Sequence, residues 1–365
     1  MTHMLPFPVA THSYFKVTNQ SAERQRFLSD PSYEPVFSYG PHMDKDKVAR
    51  RRERAAGVPG ARSSLDLVGA SLQLQAQPND TNLARFRELN EALFGAPRKE
   101  YATGLLVRIH GFVTPETQDL WGYIRTALHG EFTEMPDIVP THEEFTKYRE
   151  YFLTYTGGVA MGNVSLSQLL QTDLEKTGLA AQGWRINIRD DDSHTKVHHA
   201  RKTISVGAGY VPRTQNAAIR IAAHEVYGHA LRGHQDSVAE SEGFAILLEQ
   251  LLAERFKFRR SYRYLAAALG WGTIGRPLSF REVYEIIWRA MVIVGTYPEE
   301  KARIYAFDEC ARVFRGGLPA MPGAVYLKDG TYFDANVQMW QCLKEQPLDY
   351  NEFIDLVEGR RRLLS

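Results

Sequence analysis

The chain has 365 residues, of which 44% are hydrophobic and 24% are charged, so it is long enough for one large domain or two smaller ones. Its 44 basic and 43 acidic side chains balance, which argues against a general attraction to nucleic acid or anionic membranes. Cys310 and Cys342 are too few for a disulfide framework. With no recognisable signal peptide and no apolar run of about 18 residues, the composition predicts a cytoplasmic protein in a reducing compartment.

Residues 1–77 are punctuated by prolines and serines and show little periodicity. We expect an N-terminal extension there, loosely structured or packed on a main domain formed by residues 78–365. Its basic stretch Lys45–Gly57 is either a surface for an anionic partner or, as we prefer, a solvated helix face or mobile arm. Ser63–Ala76 alternates well enough to predict a strand or a short element packed on the body.

The next segment predicts three helices and one strand. A helix begins at Asp80, carries an apolar stripe and stops at Gly95. Gly104–Phe112 is apolar and predicts a buried strand. Thr114 with Pro115 predicts a capped helix start, and a further helix is closed by Gly157–Gly158.

Two strands are predicted before the centre of the chain. Trp184–Asp190 alternates apolar and polar residues, with Ile188 on the inner face, and Lys202–Tyr210 forms the second strand. His194, His198 and His199 lie between them. They could form a second metal site, but the neighbouring charges favour an exposed hairpin tip.

The stretch Ile221–Gln250 combines His224 and His229 with Glu225, which directly follows the first histidine. In the H-E-x-x-H zinc motif the histidines stand four apart on one helical face. Here they stand five apart, so on a regular α-helix they would diverge by roughly 140°. One π-type turn would bring them back to one side, and Gly228 would tolerate it. The sequence therefore predicts one zinc ion per chain, with Glu225 as general base and a bulge at Tyr227–Gly228.

Zinc needs a third protein ligand, for which three side chains compete. Glu242 is preferred, because SEGFA opens a new helix that would turn this carboxylate back toward the histidines. His234 would give a metzincin-like pattern, but it follows His229 by five residues rather than six. Glu240 is a weaker rival, since it lies two positions from Glu242 and so on another helical face.

Beyond this stretch the sequence is mainly helical. Residues 242–270 form a long amphipathic helix or two. Ser279 and Thr296, each followed three residues later by glutamate, predict capping boxes for two further helices. The second of these helices runs to Arg315. Asp329–Gly330 predicts a tight hairpin, and residues 349–364 predict a last helix.

HEVYGH followed by SEGFA resembles the microtubule-associated tyrosine carboxypeptidase family and its bacterial relatives. Three further segments resemble the family as well, so that the resemblance extends from about Asn79 to Cys342; they are Leu89–Pro97, Glu309–Gly317 and Val325–Phe333. The interval between His229 and Glu242 is shorter than in the eukaryotic members. Since the HExxxH histidines and a downstream glutamate bind zinc in that family, the resemblance implies His224, His229 and Glu242 as ligands and Glu225 as the catalytic base.

The predicted fold is α+β, a helix-rich zincin-like metallopeptidase domain at residues 78–365 with a small mixed sheet next to the metal-binding helix. In zincin-type enzymes the strand before the metal helix is an edge that lines the substrate cleft. By analogy, Lys202–Gly209 is expected to be that edge.

The expected activity is zinc-dependent removal of a C-terminal aromatic residue, Tyr or Phe, from a peptide or protein, with Glu225 taking a proton from the activated water. A carboxypeptidase must bind the terminal carboxylate, and Arg312, Arg315 and Lys328 are candidates because they lie in the family-like late segments. Ordinary structural pairing is the alternative for these three residues. Tyr227 either assists the oxyanion or packs.

Two other functions remain open from the sequence. A zinc endopeptidase would use the same metal core but bind its substrate along a strand edge. A noncatalytic zinc-binding interaction protein would not need the base Glu225.

Overall fold

The computed structural model describes residues 14–40, 43, 45–54, 61–129, 132, 139–158, 164–190, 195–212, 214–233 and 238–363. The chain divides into two compact units, and each unit is built from two separate segments. The first unit contains Met1–Pro136 and Arg260–Asp334, and the second contains Asp137–Arg259 and Ala335–Ser365. Most of the described residues are helical and one small mixed sheet is present, so the predicted α+β class is confirmed.

The helices and strands are numbered here in chain order. The α-helices are α1 (Gln20–Ser29), α2 (Lys45–Arg54), α3 (Ala61–Ala76), α4 (Asp80–Phe94), α5 (Lys99–His110), α6 (Gln118–Leu128), α7 (His142–Thr156), α8 (Leu166–Lys176), α9 (Gln215–Ala223), α10 (Val238–Leu251), α11 (Ser261–Trp271), α12 (Phe280–Ile293), α13 (Glu299–Phe314), α14 (Lys328–Glu345) and α15 (Tyr350–Val357). The strands β1 (Arg185–Arg189), β2 (Thr195–His198) and β3 (Thr203–Gly207) lie between α8 and α9. No helix of the described residues is long and apolar enough to cross a membrane.

The first unit has a core rich in aromatic rings. Phe27 of α1 meets Phe280 and Tyr284 of α12 edge to face, with ring centroids 5.2 and 4.7 Å apart, a preferred geometry for aromatic pairs. Phe37 packs against Phe307 of α13 in the same cluster. The described part of residues 1–77 thus supplies core side chains to this unit. The division into an extension at 1–77 and a catalytic domain at 78–365 stays a prediction.

Helix ends that the sequence marks with capping residues are mostly found where expected. In α7 the Thr141 hydroxyl accepts the N–H of Glu144, and Glu144 accepts the N–H of Thr141 in return. The Ser279 box that begins α12 is confirmed in the same way. The predicted box at Thr296 is wrong. Helix α13 begins only at Glu299 after Pro298, while the Thr296 hydroxyl lies 2.9 Å from that of Tyr262.

Two predicted strands are helical. Ser63–Ala76 belongs to α3, whose buried residues Ser64, Leu67, Ser71 and Leu74 recur every three or four positions. This helical period defines the buried face and overrides the local alternation. Gly104–Phe112 belongs largely to α5, which is buried from Tyr101 to Leu106. Periodicity alone does not distinguish such a run from a buried strand.

The predicted Asp329–Gly330 hairpin is also wrong, because both residues lie in the first turn of α14. Asp329 is buried, and its Oδ2 accepts a hydrogen bond from Arg315 Nη2 at 2.7 Å. An acidic side chain in the first turn is also favourable for a helix. The dipeptide therefore starts a helix instead of reversing the chain.

The sheet of the second unit has the order β1-β3-β2, with β1 parallel and β2 antiparallel to β3. Every residue of β3 is buried, as expected for a strand covered on both faces. The prediction that this strand is an edge is therefore wrong, since it pairs on both sides. Ile188 of β1 is 53% exposed, which also contradicts its predicted inward orientation.

One hydrophobic cluster holds the second unit together. It joins apolar side chains of α7, α8, α9 and α10 with those of the C-terminal segment, including Met339, Trp340, Phe353 and Leu356. The predicted last helix is confirmed as α15, which Asp349 caps. This core surrounds the end of α9, where the candidate ligands begin.

Candidate metal centre

The two candidate histidines lie on a π-helix, which spans His224–Ala230 directly after α9. Its hydrogen bonding is visible at Leu231, whose N–H donates to the carbonyl oxygen of Val226, five residues earlier, at 2.8 Å. The bulge predicted at Tyr227–Gly228 is therefore confirmed. The wider turn brings Nε2 of His224 to 3.1 Å from Nε2 of His229, although the two residues are five positions apart.

Gly228 lets α10 approach this π-helix closely. A Cβ atom at this position would lie 2.5 Å from Cβ and 2.8 Å from Cα of Ala245, distances that side chains do not reach without movement. Glu242 and Glu249 share the face of α10 that carries Ala245, since they stand three residues before it and four after it. The absence of a side chain at Gly228 therefore allows both carboxylates to approach His224.

We expect Gly228→Ala to lower the free energy of unfolding by about 1–3 kcal/mol, the usual cost of overpacking, and to reduce the zinc bound after dialysis. The added methyl would separate Glu242 from the histidines. Urea unfolding and metal analysis measure the two effects. Gly122→Ala is the control, because a Cβ on this exposed helical glycine meets nothing within 4 Å. An alanine there should be neutral or stabilising.

Three side chains offer ligand atoms that all lie within 4.8 Å of one another: His224, His229 and Glu242. Oε2 of Glu242 is 3.6 Å from Nε2 of His224 and 3.9 Å from Nε2 of His229. Neighbouring ligand atoms of a tetrahedral zinc site stand roughly 3.3–3.4 Å apart when each bond is about 2.0–2.1 Å. The donor set and its spacing thus fit a zinc ion with small adjustments.

A second layer of polar side chains holds the two imidazoles. Glu249 Oε1 lies 2.8 Å from Nδ1 of His224, and Ser241 Oγ lies 2.7 Å from Nδ1 of His229. Nδ1 of His224 makes no hydrogen bond of good geometry, so its contact with Glu249 is mainly one of charge. The separation of 3.1 Å between the two Nε2 atoms fits one proton shared between the rings, and it also fits one cation bound by both.

The negative charges around His224 favour a positive charge at this imidazole. Burial alone would lower the pKa of His224, but the contact with Glu249 and the charges of Glu225 and Glu242 outweigh burial and raise this pKa to about 9. Without a metal, a proton on the imidazole satisfies the surrounding carboxylates. Zinc would have to displace that proton, so its binding should weaken as the pH falls.

We expect Glu249→Gln to weaken zinc binding by about 10–100-fold, the usual effect of removing a partner that orients a ligand. The amide keeps the shape of the side chain but loses the charge beside Nδ1 of His224. Titration against a chromophoric chelator measures the affinity. Glu254→Gln, at an exposed carboxylate of the same unit, is the control and should bind zinc as tightly as the wild type. Equal affinities in both variants would contradict the role of Glu249.

Glu225 is buried at the start of the π-helix, with 7% of its surface exposed. Burial raises the pKa of its carboxyl, and the opposing effects of His224 and of the Thr195 hydroxyl are smaller. Thr195 of β2 donates to Glu225 Oε1 at 2.5 Å. One carboxylate oxygen is thus held in place next to the candidate ligands.

Three contacts in this centre have no direct signal in the sequence. Glu249, Ser241 and Thr195 are unremarkable by residue type and local pattern. Glu249 alone has an indirect signal, since it stands seven residues after Glu242 and thus on the same helical face. Thr195 stands thirty residues before Glu225 in the sequence. It reaches Glu225 only because its strand, β2, is part of the sheet.

The remaining residues that the sequence suggested for the centre, Tyr227, Glu240 and His234, are not among the three converging ligands. Tyr227 is 2% exposed and its hydroxyl lies 3.2 Å from Asp173 Oδ1, which favours the packing interpretation over an oxyanion role. Glu240 is buried with Arg232, whose Nη2 lies 3.6 Å from Glu240 Oε1. His234, the alternative third ligand, lies outside the described residues.

The alternative interpretation of His194, His198 and His199 as a second metal site finds no support in the described residues. His198 ends β2 and His199 begins a short 3-10 helix, while His194 lies outside the described residues. Within those residues, His224, His229 and Glu242 form the only group of three or more His, Cys, Asp or Glu side chains close enough to share an ion.

The candidate carboxylate-binding residues Arg312, Arg315 and Lys328 belong to the first unit. Arg315 donates to Asp329 at 2.7 Å, and Nη2 of Arg312 lies 3.7 Å from the same carboxylate. Lys328 is the first residue of α14. These contacts give both arginines a structural role, and their binding of a substrate carboxylate stays a prediction.

No protein-family model and no curated protein sequence matches this chain. Its function is therefore inferred from the residues of the centre, their geometry and the resemblance of the motifs.

Proposed function

We propose that this chain is a zinc-dependent carboxypeptidase of zincin-like build, which removes a C-terminal aromatic residue, Tyr or Phe, from peptides or proteins. The observation that carries the proposal is the convergence of His224, His229 and Glu242 next to the buried carboxylate of Glu225. The resemblance of HEVYGH and SEGFA to the microtubule-associated tyrosine carboxypeptidase family supports the exopeptidase action and the aromatic preference.

In this proposal each residue of the centre has one task. His224, His229 and Glu242 hold Zn²⁺, which supplies acidification of water and polarisation of the scissile carbonyl when bound. Glu225 accepts a proton from the attacking water and delivers it to the leaving amine. Thr195 holds one oxygen of Glu225 at 2.5 Å, so that the other is available for the proton. The raised pKa of Glu225 suits a group that must be base and then acid.

A zinc endopeptidase is the second candidate, because an edge strand lies beside the base. Strand β2 pairs with β3 on one side only, and its residue Thr195 contacts Glu225. An extended peptide that added to β2 by main-chain hydrogen bonds would pass close to this carboxylate. Such binding needs no free C-terminus.

Mass spectrometry of peptides incubated with the zinc-loaded protein tests the proposal. The peptides end in Tyr, Phe, Ala or Glu, each with a free or an amidated C-terminus. Loss of one residue from the free Tyr and Phe peptides only is the expected result. Internal cleavage of free and amidated peptides alike would favour the endopeptidase. Stoichiometric zinc with no cleavage of any peptide would favour a noncatalytic zinc-binding protein.

A further inference from the structure

A cleft of about 630 Å³ opens in the second unit where β1 and β3 end. This volume lies within the range of about 300–1,000 Å³ that is usual for ligand sites. Its walls contain both apolar and polar side chains. The apolar ones include Leu166, Ile188, Val206, Val211 and Ala218, and the polar ones include Ser165, Ser167, Thr214 and Gln215. The mechanism proposed above does not use it.

Two of these side chains are unusually exposed. Ile188 is 53% and Val211 79% accessible, and they are the only large hydrophobic side chains classed as exposed among the described residues of the second unit. Single exposed apolar residues are common on proteins, but their concentration at one cleft is typical of a binding site.

The cleft is connected to the general base through the sheet. Val206 lines the cleft and is the antiparallel partner of Thr195, which donates to Glu225 Oε1 at 2.5 Å. Residues paired in this way have Cα atoms about 4.5–5.5 Å apart. One wall of the cleft therefore lies a single strand spacing from the residue that holds Glu225.

Two further residues, Tyr210 and Ala218, connect the cleft with the candidate metal centre. Tyr210 lines the cleft, and burial, followed by the charges of Glu225 and Glu249, raises the pKa of its phenol. Ala218 lines the cleft from α9 and precedes His224 by six residues, about 9 Å along the helix. An extended peptide covers this distance in about three residues.

We propose that this cleft is a substrate subsite, which receives a large apolar side chain of the peptide within about three residues of the scissile bond. The inference rests on the proposed peptide hydrolysis. It makes Ile188 and Val211 specificity-determining residues, distinct from the metal ligands and the base.

Peptide binding to the full-length, zinc-loaded Glu225→Gln protein tests the subsite without turnover. Fluorescence anisotropy compares labelled peptides that carry one Phe, or Ser in its place, either at the C-terminal residue or at one of the three residues before the scissile bond. At one position or more, Phe should bind about 10–100-fold more tightly than Ser. Adding Val211→Asp and Ile188→Asp should abolish this preference while changing the affinity of the Ser peptides less than about threefold.

The control is Val36→Asp, at a valine that is 66% exposed in the first unit, and it should leave the preference intact. A preference that survives the paired Val211→Asp and Ile188→Asp substitutions would overturn the subsite, as would the absence of any preference for Phe.

Hydrolysis by the wild type separates this inference from the proposed function. Cleavage of peptides by a wild type whose preference ignores Val211 and Ile188 would leave the hydrolase standing and reject the subsite. Binding that depends on Val211 and Ile188, with no cleavage by the wild type, would reject the hydrolase and keep the cleft as a peptide-binding site.

Discussion

Replacement of Glu225 by glutamine is expected to reduce kcat about 10²–10⁴-fold, the usual contribution of a general acid–base group, while zinc stays bound. Glutamine retains the size of the side chain and an oxygen that can accept the Thr195 hydroxyl, which lies 2.5 Å from Glu225 Oε1. What it loses is the capacity to take up a proton. The measurements are steady-state kinetics on a Tyr-ending peptide and the zinc content of the same sample.

Glu242→Gln provides the contrast, since Glu242 belongs to the proposed ligand set and not to the proton pathway. This variant should lose both zinc and activity. Unchanged kcat in Glu225→Gln would remove the general base from the proposal. Loss of zinc from Glu225→Gln would instead identify Glu225 as a ligand.

Replacement of Asp329 by alanine is expected to lower the free energy of unfolding by about 3–5 kcal/mol, as breaking a buried ion pair does. Asp329 is 1% exposed. Its carboxylate is 2.7 Å from Arg315, 3.7 Å from Arg312 and 3.9 Å from Arg263. Without it, three neighbouring guanidinium groups repel one another in a largely buried place. Urea unfolding at pH 7 measures the change.

The effect of Asp329 should depend on pH in a definite direction. Burial alone would raise its pKa, but the arginines, Arg315 foremost, outweigh burial and hold the pKa below its ordinary value of 3.8. Because the folded pKa is lower than the unfolded one, the carboxylate stabilises the folded state above about pH 4 and loses this effect as the pH falls further. The difference between wild type and variant should be constant from pH 8 to pH 5 and shrink below about pH 4.

The exposed pair of Glu299 and Arg303, 2.8 Å apart on one helix face, serves as the comparison for Asp329. Glu299→Gln should change the unfolding free energy by less than about 0.5 kcal/mol, since solvated pairs contribute little. A loss of similar size in Asp329→Ala would contradict the structural role of the buried cluster. Such a small loss of stability would instead strengthen the interpretation of Arg312 and Arg315 as substrate-binding residues.

The parts of the fold that depend on local chemistry could be predicted from the sequence. The Ser279 cap satisfies the backbone within four residues and was predicted from its pattern, although the same pattern at Thr296 does not form a cap. The π-turn was also predicted, because two ligands five residues apart can face one ion only if the helix widens. This single geometric requirement predicted the bulge before any packing was known.

The parts that depend on distant packing could not be predicted. Asp329–Gly330 has the composition of a hairpin, yet Arg315, directly after α13, binds Asp329 and favours a helix start. Glu249 reaches His224 only because Gly228 and Ala245 let two helices meet closely. Thr195 reaches Glu225 only because β2 joins the sheet as an edge. None of these three contacts is encoded within a short window of sequence.

The discontinuous second unit has a consequence for folding on the ribosome. Synthesis of the metal ligands is complete at residue 242, but Trp340 and Phe353 belong to the same hydrophobic cluster as the helices that carry the ligands. At about 5–20 residues per second, the ribosome needs roughly 5–20 s to add the intervening residues. During this interval the nascent chain carries all three ligands without the core that positions them. A chain arrested before Trp340 should therefore bind zinc weakly, and tight binding should begin only when synthesis is nearly complete.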